Sequence, residues 1–387
     1  MDLTWVSSQR GWALAAAPCA SGLCPRVAAT GDGGRTWTAL PVPPGIIQGE
    51  TGTVDCAAVA CVSQIRFATA EVGYLFGPAL YQTDDGGRTW HRAPSRPVEA
   101  LEPSAGTVVR VVYDHAGCPG PCDRTVQETT AGSGTWHTLL RIPPGSDTGG
   151  VAAQVVRPGP SVIYLPVYGN RAGGAGAEAV IFRSADGGNT WQRLTDPCGG
   201  TGQQEHDTAG LAAAPGGFLA VLCLPRSETG ATFVLTSTDH GSSWRPPRPV
   251  PGGTQHSLSL IAAASPGRLV VATGGVTGGG PFTYRLEVSA DGGLRWSAAI
   301  PAPRRSTPGH PAPPSRVSKT PGSAGGSATS GTSGPPATKA CTGSGENSPE
   351  TGGHPKLRHP QTVTESSSWP LSIDGWPLRA IARIRRR

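Results

Sequence analysis

Two adjacent carboxylates precede two glycines in Thr83-Asp84-Asp85-Gly86-Gly87-Arg88-Thr89-Trp90, a setting that suggests a cation loop or an acid pair. A one-segment calcium loop needs oxygen ligands at alternating positions and a closing bidentate carboxylate. Here the two carboxylates are neighbours and an arginine follows, so the spacing does not fit. His115, Cys118 and Cys122 suggest zinc, but no second ligand pair accompanies them to close a four-ligand site. No G-x-S-x-G elbow marks a serine nucleophile. The residues therefore call for no metal and no cofactor.

The stretch is repeated. TGDGGRTW occupies 30–37, SADGGNTW 184–191, STDHGSSW 237–244 and SADGGLRW 289–296, while a decayed copy, TTAGSGTW, lies at 129–136. Asp84 is not part of the pattern, since Gly31, Ala185, Thr238 and Ala290 stand in its place. The closing tryptophans, Trp37, Trp90, Trp136, Trp191, Trp244 and Trp296, are 53, 46, 55, 53 and 52 residues apart. A period of that size, kept even where the motif has decayed, belongs to a fold unit.

Each period holds three apolar or alternating runs ahead of the motif and one after it. VAAQVV, SVIYLPV, AEAVIFRS and TWQRL form one such set at 151–194. β-branched and aromatic residues fill the runs, Gly and Pro separate them, and no capped helical stripe occurs. The pattern predicts an all-β propeller of four-stranded antiparallel blades. Six blades are readable in 1–302, at about 1–44, 45–98, 99–142, 143–196, 197–250 and 251–302.

Within the motif, Asp-Gly and Gly-Gly supply the positive φ of a tight hairpin between the third and fourth strands. The aspartate caps the backbone N–H groups that follow it, flanked by Ser/Thr hydroxyls. The tryptophan begins the outer strand and wedges against the neighbouring sheet, where burial contributes roughly 1.5–3 kcal/mol.

This pattern resembles the Asp-box, or BNR, repeat of sialidases and related propellers, including photosystem II assembly factors and secreted bacterial propellers. The residues that carry the resemblance are Asp32, Gly34, Trp37, Asp85, Gly87, Trp90, Asp186, Gly188, Trp191, Asp239, Gly241, Trp244, Asp291, Gly293 and Trp296. The resemblance implies that these are peripheral fold staples, away from the axial face where ligands bind. It also implies an alternative, an exo-sialidase-like glycoside hydrolase. Such enzymes grip a carboxylate with three arginines and use a tyrosine activated by a glutamate, with an Arg-Ile-Pro segment before the first box. Arg141-Ile142-Pro143 is present but follows the third motif, and the first unit offers only Arg10, Arg26 and Arg35. Tyr74, Tyr113, Tyr164 and Tyr168 are the candidate tyrosines.

Eight cysteines fall in the body as Cys19/Cys24, Cys56/Cys61, Cys118/Cys122 and Cys198/Cys223. An even number in local pairs predicts loop-stapling disulfides and an oxidising compartment. The net charge of +6 misleads, because residues 303–387 hold twelve Lys and Arg against four Asp and Glu. The body is close to neutral, so no basic surface points to nucleic acid. No apolar run is long enough to span a membrane.

Residues 303–387 are rich in Pro, Gly, Ser and Thr and read as a disordered extension. They also permit a shifted reading frame. Back-translated and read from each third codon base, Ser348-Pro349-Glu350-Thr351-Gly352-Gly353-His354 allows Ser/Thr, Arg/Gly, Asp/Asn, Gly, Gly, Ser/Thr. That is a further motif, so the tail is either a real extension or the remnant of a seventh blade. A missing upstream start would account for a secreted-type body without a leader. The sequence reading is thus a monomeric, extracytoplasmic, non-catalytic scaffold that takes a protein or glycan on its axial face.

Overall fold

The computed structural model describes residues 2–19, 22–43, 46–47, 61–113, 123–143, 152–168, 179–199, 206–225, 230–251, 258–275 and 283–299. All belong to one compact unit. They form a six-bladed propeller of four-stranded antiparallel sheets, and no helix occurs among the described residues.

Each blade uses one uninterrupted run of chain. Blade one is Asp2–Trp5, Gly11–Cys19, Gly22–Thr30 and Thr38–Leu40; blade two is Gln64–Phe67, Gly73–Phe76, Leu80–Thr83 and His91–Arg92. Blade three is Val98–Ser104, Thr107–Tyr113, Arg124–Thr130 and His137–Ile142; blade four is Ala152–Ala153, Ile163–Tyr168, Val180–Ser184 and Gln192–Leu194. Blade five is His206–Ala214, Phe218–Pro225, Phe233–Ser237 and Arg248–Pro249; blade six is Leu258–Ser265, Arg268–Gly275, Thr283–Ser289 and Ser297–Ala298. In every sheet the strands pair in chain order. A separate parallel pair joins Ile46–Ile47 to Cys61–Val62.

Strand alternation sends one side chain toward the preceding blade and the next toward the following one. Apolar residues therefore occupy both faces of the central strands, as in Gly73–Phe76 and Phe218–Pro225. Trp12 and Leu14 of blade one meet Ile65, Phe67 and Leu75 of blade two. Tyr74 and Phe76 of blade two meet Val98, Leu101 and Val108 of blade three. Val109, Val111 and Ile142 meet Ile163 and Leu165 across the next interface. Tyr164 and Ile181 then meet Leu211 and Val221, and Leu222 and Val234 meet Leu269 and Val271. Among the described residues, no such cluster joins blade six to blade one.

The motif is longer than the tight hairpin its Asp-Gly and Gly-Gly pairs suggest. Residues 31–37 separate Thr30 from Thr38 in blade one, and residues 84–90 separate Thr83 from His91 in blade two. The tryptophan stands one residue before the outer strand rather than beginning it, and in blade five the strand starts only at Arg248, beyond Trp244. The reason is the aspartate, which gathers the backbone around one carboxylate instead of closing it across two residues.

Candidate functional site

The aspartate turns share one geometry. In blade two, Thr83 Oγ1 donates to Asp85 Oδ1 at 2.8 Å and accepts from Gly87 N at 2.9 Å. Asp85 Oδ1 also accepts from the N–H groups of Arg88 and Thr89, each at 2.9 Å, and Thr89 Oγ1 donates to Oδ2 at 2.6 Å. Asp32, Asp186 and Asp239 repeat the arrangement with Thr36, Thr190 and Ser243 as the hydroxyl donors. Those donors hold the carboxyls well below the usual range, with the flanking hydroxyl as the largest cause; Asp186 is lowered from 3.8 to about 2. In blade six the donor position is Arg295, so Asp291 keeps the backbone bond from Arg295 N at 2.9 Å without a hydroxyl there.

The turns are tied to their own blades. The N–H groups of Gly33, Gly86, Gly187, His240 and Gly292 donate to Gln9, Glu71, Ser161, Gly217 and Gly267, which lie on the turn joining the first two strands. Gly87, Gly188, Gly241 and Gly293 have φ between 87° and 96°. At Gly188 an added Cβ would lie 2.7 Å from Leu139 of blade three. From blade two onward the wedge tryptophans pack on the preceding blade but stay half-buried; Trp90 Nε1, for example, donates to Pro41 O at 3.2 Å. Trp136 is covered by the Arg110 guanidinium at 3.7 Å, and burial pushes that guanidinium down to about 10.

A second set of ties was not read from the sequence. Trp12, Tyr74 and Tyr164 occupy the same place, the residue after the strand position paired with the motif Ser/Thr. Each reaches the aspartate turn, or its remnant, of the following blade. Trp12 Nε1 donates to Gly86 O at 3.0 Å, Tyr74 OH accepts from Gly132 N at 3.1 Å, and Tyr164 OH bonds His240 Nδ1 at 2.9 Å. Trp12 has no exposed surface and stacks on Phe67 with centroids 3.7 Å apart. The detectable signal was an aromatic with a polar tip at one register position, visible only once the strands are paired.

Cys198 and Cys223 form a disulfide with a Cα–Cα separation of 5.6 Å. It joins the connection after blade four to the second strand of blade five. Asp196 beside it is buried and accepts from Ala179 N at 2.9 Å, Cys198 N at 2.9 Å and Thr208 Oγ1 at 2.6 Å. Cys24 and Cys61 are also disulfide-bonded. Cys56, Cys118 and Cys122 lie outside the described residues, as does the side chain of Cys19.

The turns occupy one end of the blades. The connections between second and third strands, and those between blades, leave from the other end. Charged groups pair between neighbouring strands and blades at both ends, the Arg157 set lying at the turn end. Arg66 of blade two bonds Asp2 of blade one, and its Nε lies 3.0 Å from Glu102 of blade three. Burial would lower the Arg66 pKa, but the two carboxylates outweigh it and raise it; burial raises that of Glu102. Arg124 Nε lies 2.9 Å from Glu99 Oε2, and Glu99 Oε1 accepts from Ala153 N of blade four at 2.8 Å. Arg157 Nη2 bonds Thr107 Oγ1 and Pro160 O at 3.0 Å each, with Glu128 at 3.4 Å. These pairs run across blades one to four.

The residues weighed for sialidase chemistry are dispersed. Arg141 lies exposed on the outer strand of blade three, and Arg26 and Arg35 are exposed on blade one. Arg10 stacks on Trp12 at 5.3 Å. The hydroxyls of Tyr74 and Tyr164 are engaged at turns, and Tyr168 donates to Gln154 Oε1 at 2.8 Å. Burial raises the pKa of all four candidate tyrosines, that of Tyr164 to about 12, opposite to what an activated nucleophile needs. Among the described residues no helix is long and apolar enough to cross a membrane, and no cluster suited to a metal occurs.

No protein-family model matches the chain. A xyloglucanase from a Paenibacillus species is 28% identical over 150 residues, 35% of this chain and 14% of that protein's length. Among solved structures, YCF48 bound to D1 peptide is similar with a TM-score of 0.47 and 16% identity, covering 78% of this chain and 81% of that one. An ulvan lyase of polysaccharide lyase family PL25 is similar with a TM-score of 0.49 and 13% identity, covering 76% and 80%.

Proposed function

We propose that this chain is a non-catalytic scaffold of the Asp-box type, working outside the cytoplasm and holding a protein or glycan at the blade end opposite its aspartate turns. The observation that carries this reading is the state of three arginines in blades two to four. Arg66 and Arg124 are committed to carboxylates of this chain, whereas Arg157 meets Glu128 through Nη2 at 3.4 Å and keeps its buried Nε and Nη1 without a hydrogen-bond partner among the described residues. A three-arginine grip on a substrate carboxylate would require breaking the pairs of Arg66 and Arg124 and stranding Asp2, Glu99 or Glu102. The aspartate turns act as fold staples, because every carboxylate oxygen contact described for them is local. The disulfides support an oxidising compartment.

Two measurements test the reading. A fluorogenic sialoside and a xyloglucan oligosaccharide should both remain intact over hours with micromolar protein; turnover of either overturns it. A glycan array and cross-linking to the proteins of the source cell's envelope should give a ligand whose binding is lost when Tyr168 and Gln154 are replaced by Ala. A ligand unaffected by those changes but lost on altering the turn end would place the site on the wrong face.

A further inference from the structure

The aspartate turn of blade six departs from the repeat in three places that come together in space. At the position of Leu294 the other aspartate-bearing copies carry Arg35, Arg88, Asn189 and Ser242, all polar. At the next position they carry Thr36, Thr89, Thr190 and Ser243, whose hydroxyls donate to the turn carboxylate at 2.5–2.6 Å, whereas blade six has Arg295. The third departure comes from the preceding blade. A Cβ added at Gly87, Gly188 or Gly241 would meet Leu40, Leu139 or Leu194, but at Gly293 it would meet the stem of Arg248.

The first two departures do nothing for the fold. Asp291 accepts from Ser289 Oγ and Arg295 N, both at 2.9 Å, but lacks the second hydroxyl that the other copies supply. Leu294 is 65% exposed. Arg248 Nη1 donates to Gly292 O, which fixes its cation at the turn. Gly292 N donates to Gly267 O, and the next residue is the exposed Arg268. Arg268 and Arg295 enter no ion pair among the described residues. Three cations and one exposed apolar side chain thus gather at a single turn. A local rule broken without structural compensation marks a place kept for another purpose.

That combination fits a surface that is anionic outside and apolar just beneath. An acidic protein site would have to be shaped around the exposed leucine. A fluid bilayer takes it in without a preformed pocket and sets anionic headgroups around the cations. We propose that the blade-six turn, through Leu294, Arg295, Arg268 and Arg248, is a contact site for an anionic lipid bilayer. Each arginine near such a surface strengthens binding about fivefold, and burying the leucine strengthens it about tenfold. The site lies at the blade end opposite the one proposed for the ligand, so either reading can fail without the other.

The test is sedimentation of the full chain with vesicles of equimolar phosphatidylglycerol and phosphatidylcholine, against phosphatidylcholine alone. The parent should pellet with the mixed vesicles only, and less as salt rises, because exposed charges are screened. The double variant Leu294→Asn, Arg295→Thr gives 289–296 the sequence of 184–191, SADGGNTW. It should bind the mixed vesicles about fiftyfold more weakly, from the two effects combined. Its thermal midpoint should hold or rise, since threonine supplies the missing hydroxyl. Arg141→Glu, a charge change on the exposed outer strand of blade three, should leave binding unchanged. Failure of the parent to bind the mixed vesicles, equal binding to phosphatidylcholine alone, or an equal loss in Arg141→Glu overturns the proposal. Binding carried by the Lys and Arg of 303–387 would survive the double exchange, and that result overturns it too. Equal binding to soluble polyglutamate, lost in the same double variant, would make an acidic protein surface the partner and the proposal wrong.

Discussion

At the scale of single residues, four of the aspartate carboxyls each hold a hydroxyl and one or more backbone N–H groups, which sets a direction for pH. A carboxyl with a lowered folded pKa contributes stability above its unfolded value and loses it as the pH falls through the folded one. For Asp186 that window runs from 3.8 down to about 2. Urea midpoints of the parent should fall between pH 4 and 2, and Asp186→Asn should start lower at pH 7 and fall less over that interval. Gly188→Ala should cost about 1–3 kcal/mol, since it adds strain at a φ of 96° and drives a methyl into Leu139. His240 occupies a place where other copies have glycine, at a φ of 61°, and its ring bonds Tyr164. The Asp, Gly and Trp positions were readable because they recur. His240 was not, because its partner comes from a blade it adjoins only in space.

At the scale of elements, the sequence showed the strands through their apolar runs but not what links the sheets. Trp12 reads as one apolar residue in GWALA, and only its pairing opposite Ala29 places it under the next blade's turn. Trp12→Phe should lose about 1 kcal/mol through the bond to Gly86 while keeping the stack on Phe67, as thermal melts would show. Asp196 was invisible for a related reason: a single aspartate after TWQRL reads as surface, yet it is buried and satisfies three donors from two blades and their connection. Asp196→Ala should cost about 2–4 kcal/mol by leaving those donors bare. Removing the Cys198–Cys223 bridge should cost about 2–4 kcal/mol, and because Thr208 touches both Asp196 and Cys198, the two losses should not add.

At the scale of the molecule, charge and packing divide the ring. The ion pairs described tie blades one to four, whereas the inner strands of blades five and six are mostly alanine and leucine, with His206 and Asp207 at the start of blade five. Arg66→Met should destabilise by about 1–3 kcal/mol, because Asp2 and Glu102 then face each other without their shared cation, and high salt should partly restore the loss. The fold class was legible from period alone. The axial pairs were not, since Asp2, Arg66 and Glu102 are far apart in sequence and share no motif. Among the described residues each sheet is completed by consecutive strands, with no strand lent from one end of the chain to the other. A nascent chain can therefore finish each blade as it emerges, from the first onward, instead of waiting for its last residues. Growth or loss of the ring during evolution then needs only whole-unit duplication or deletion of coding sequence, with no strand left unpaired in the blades that remain.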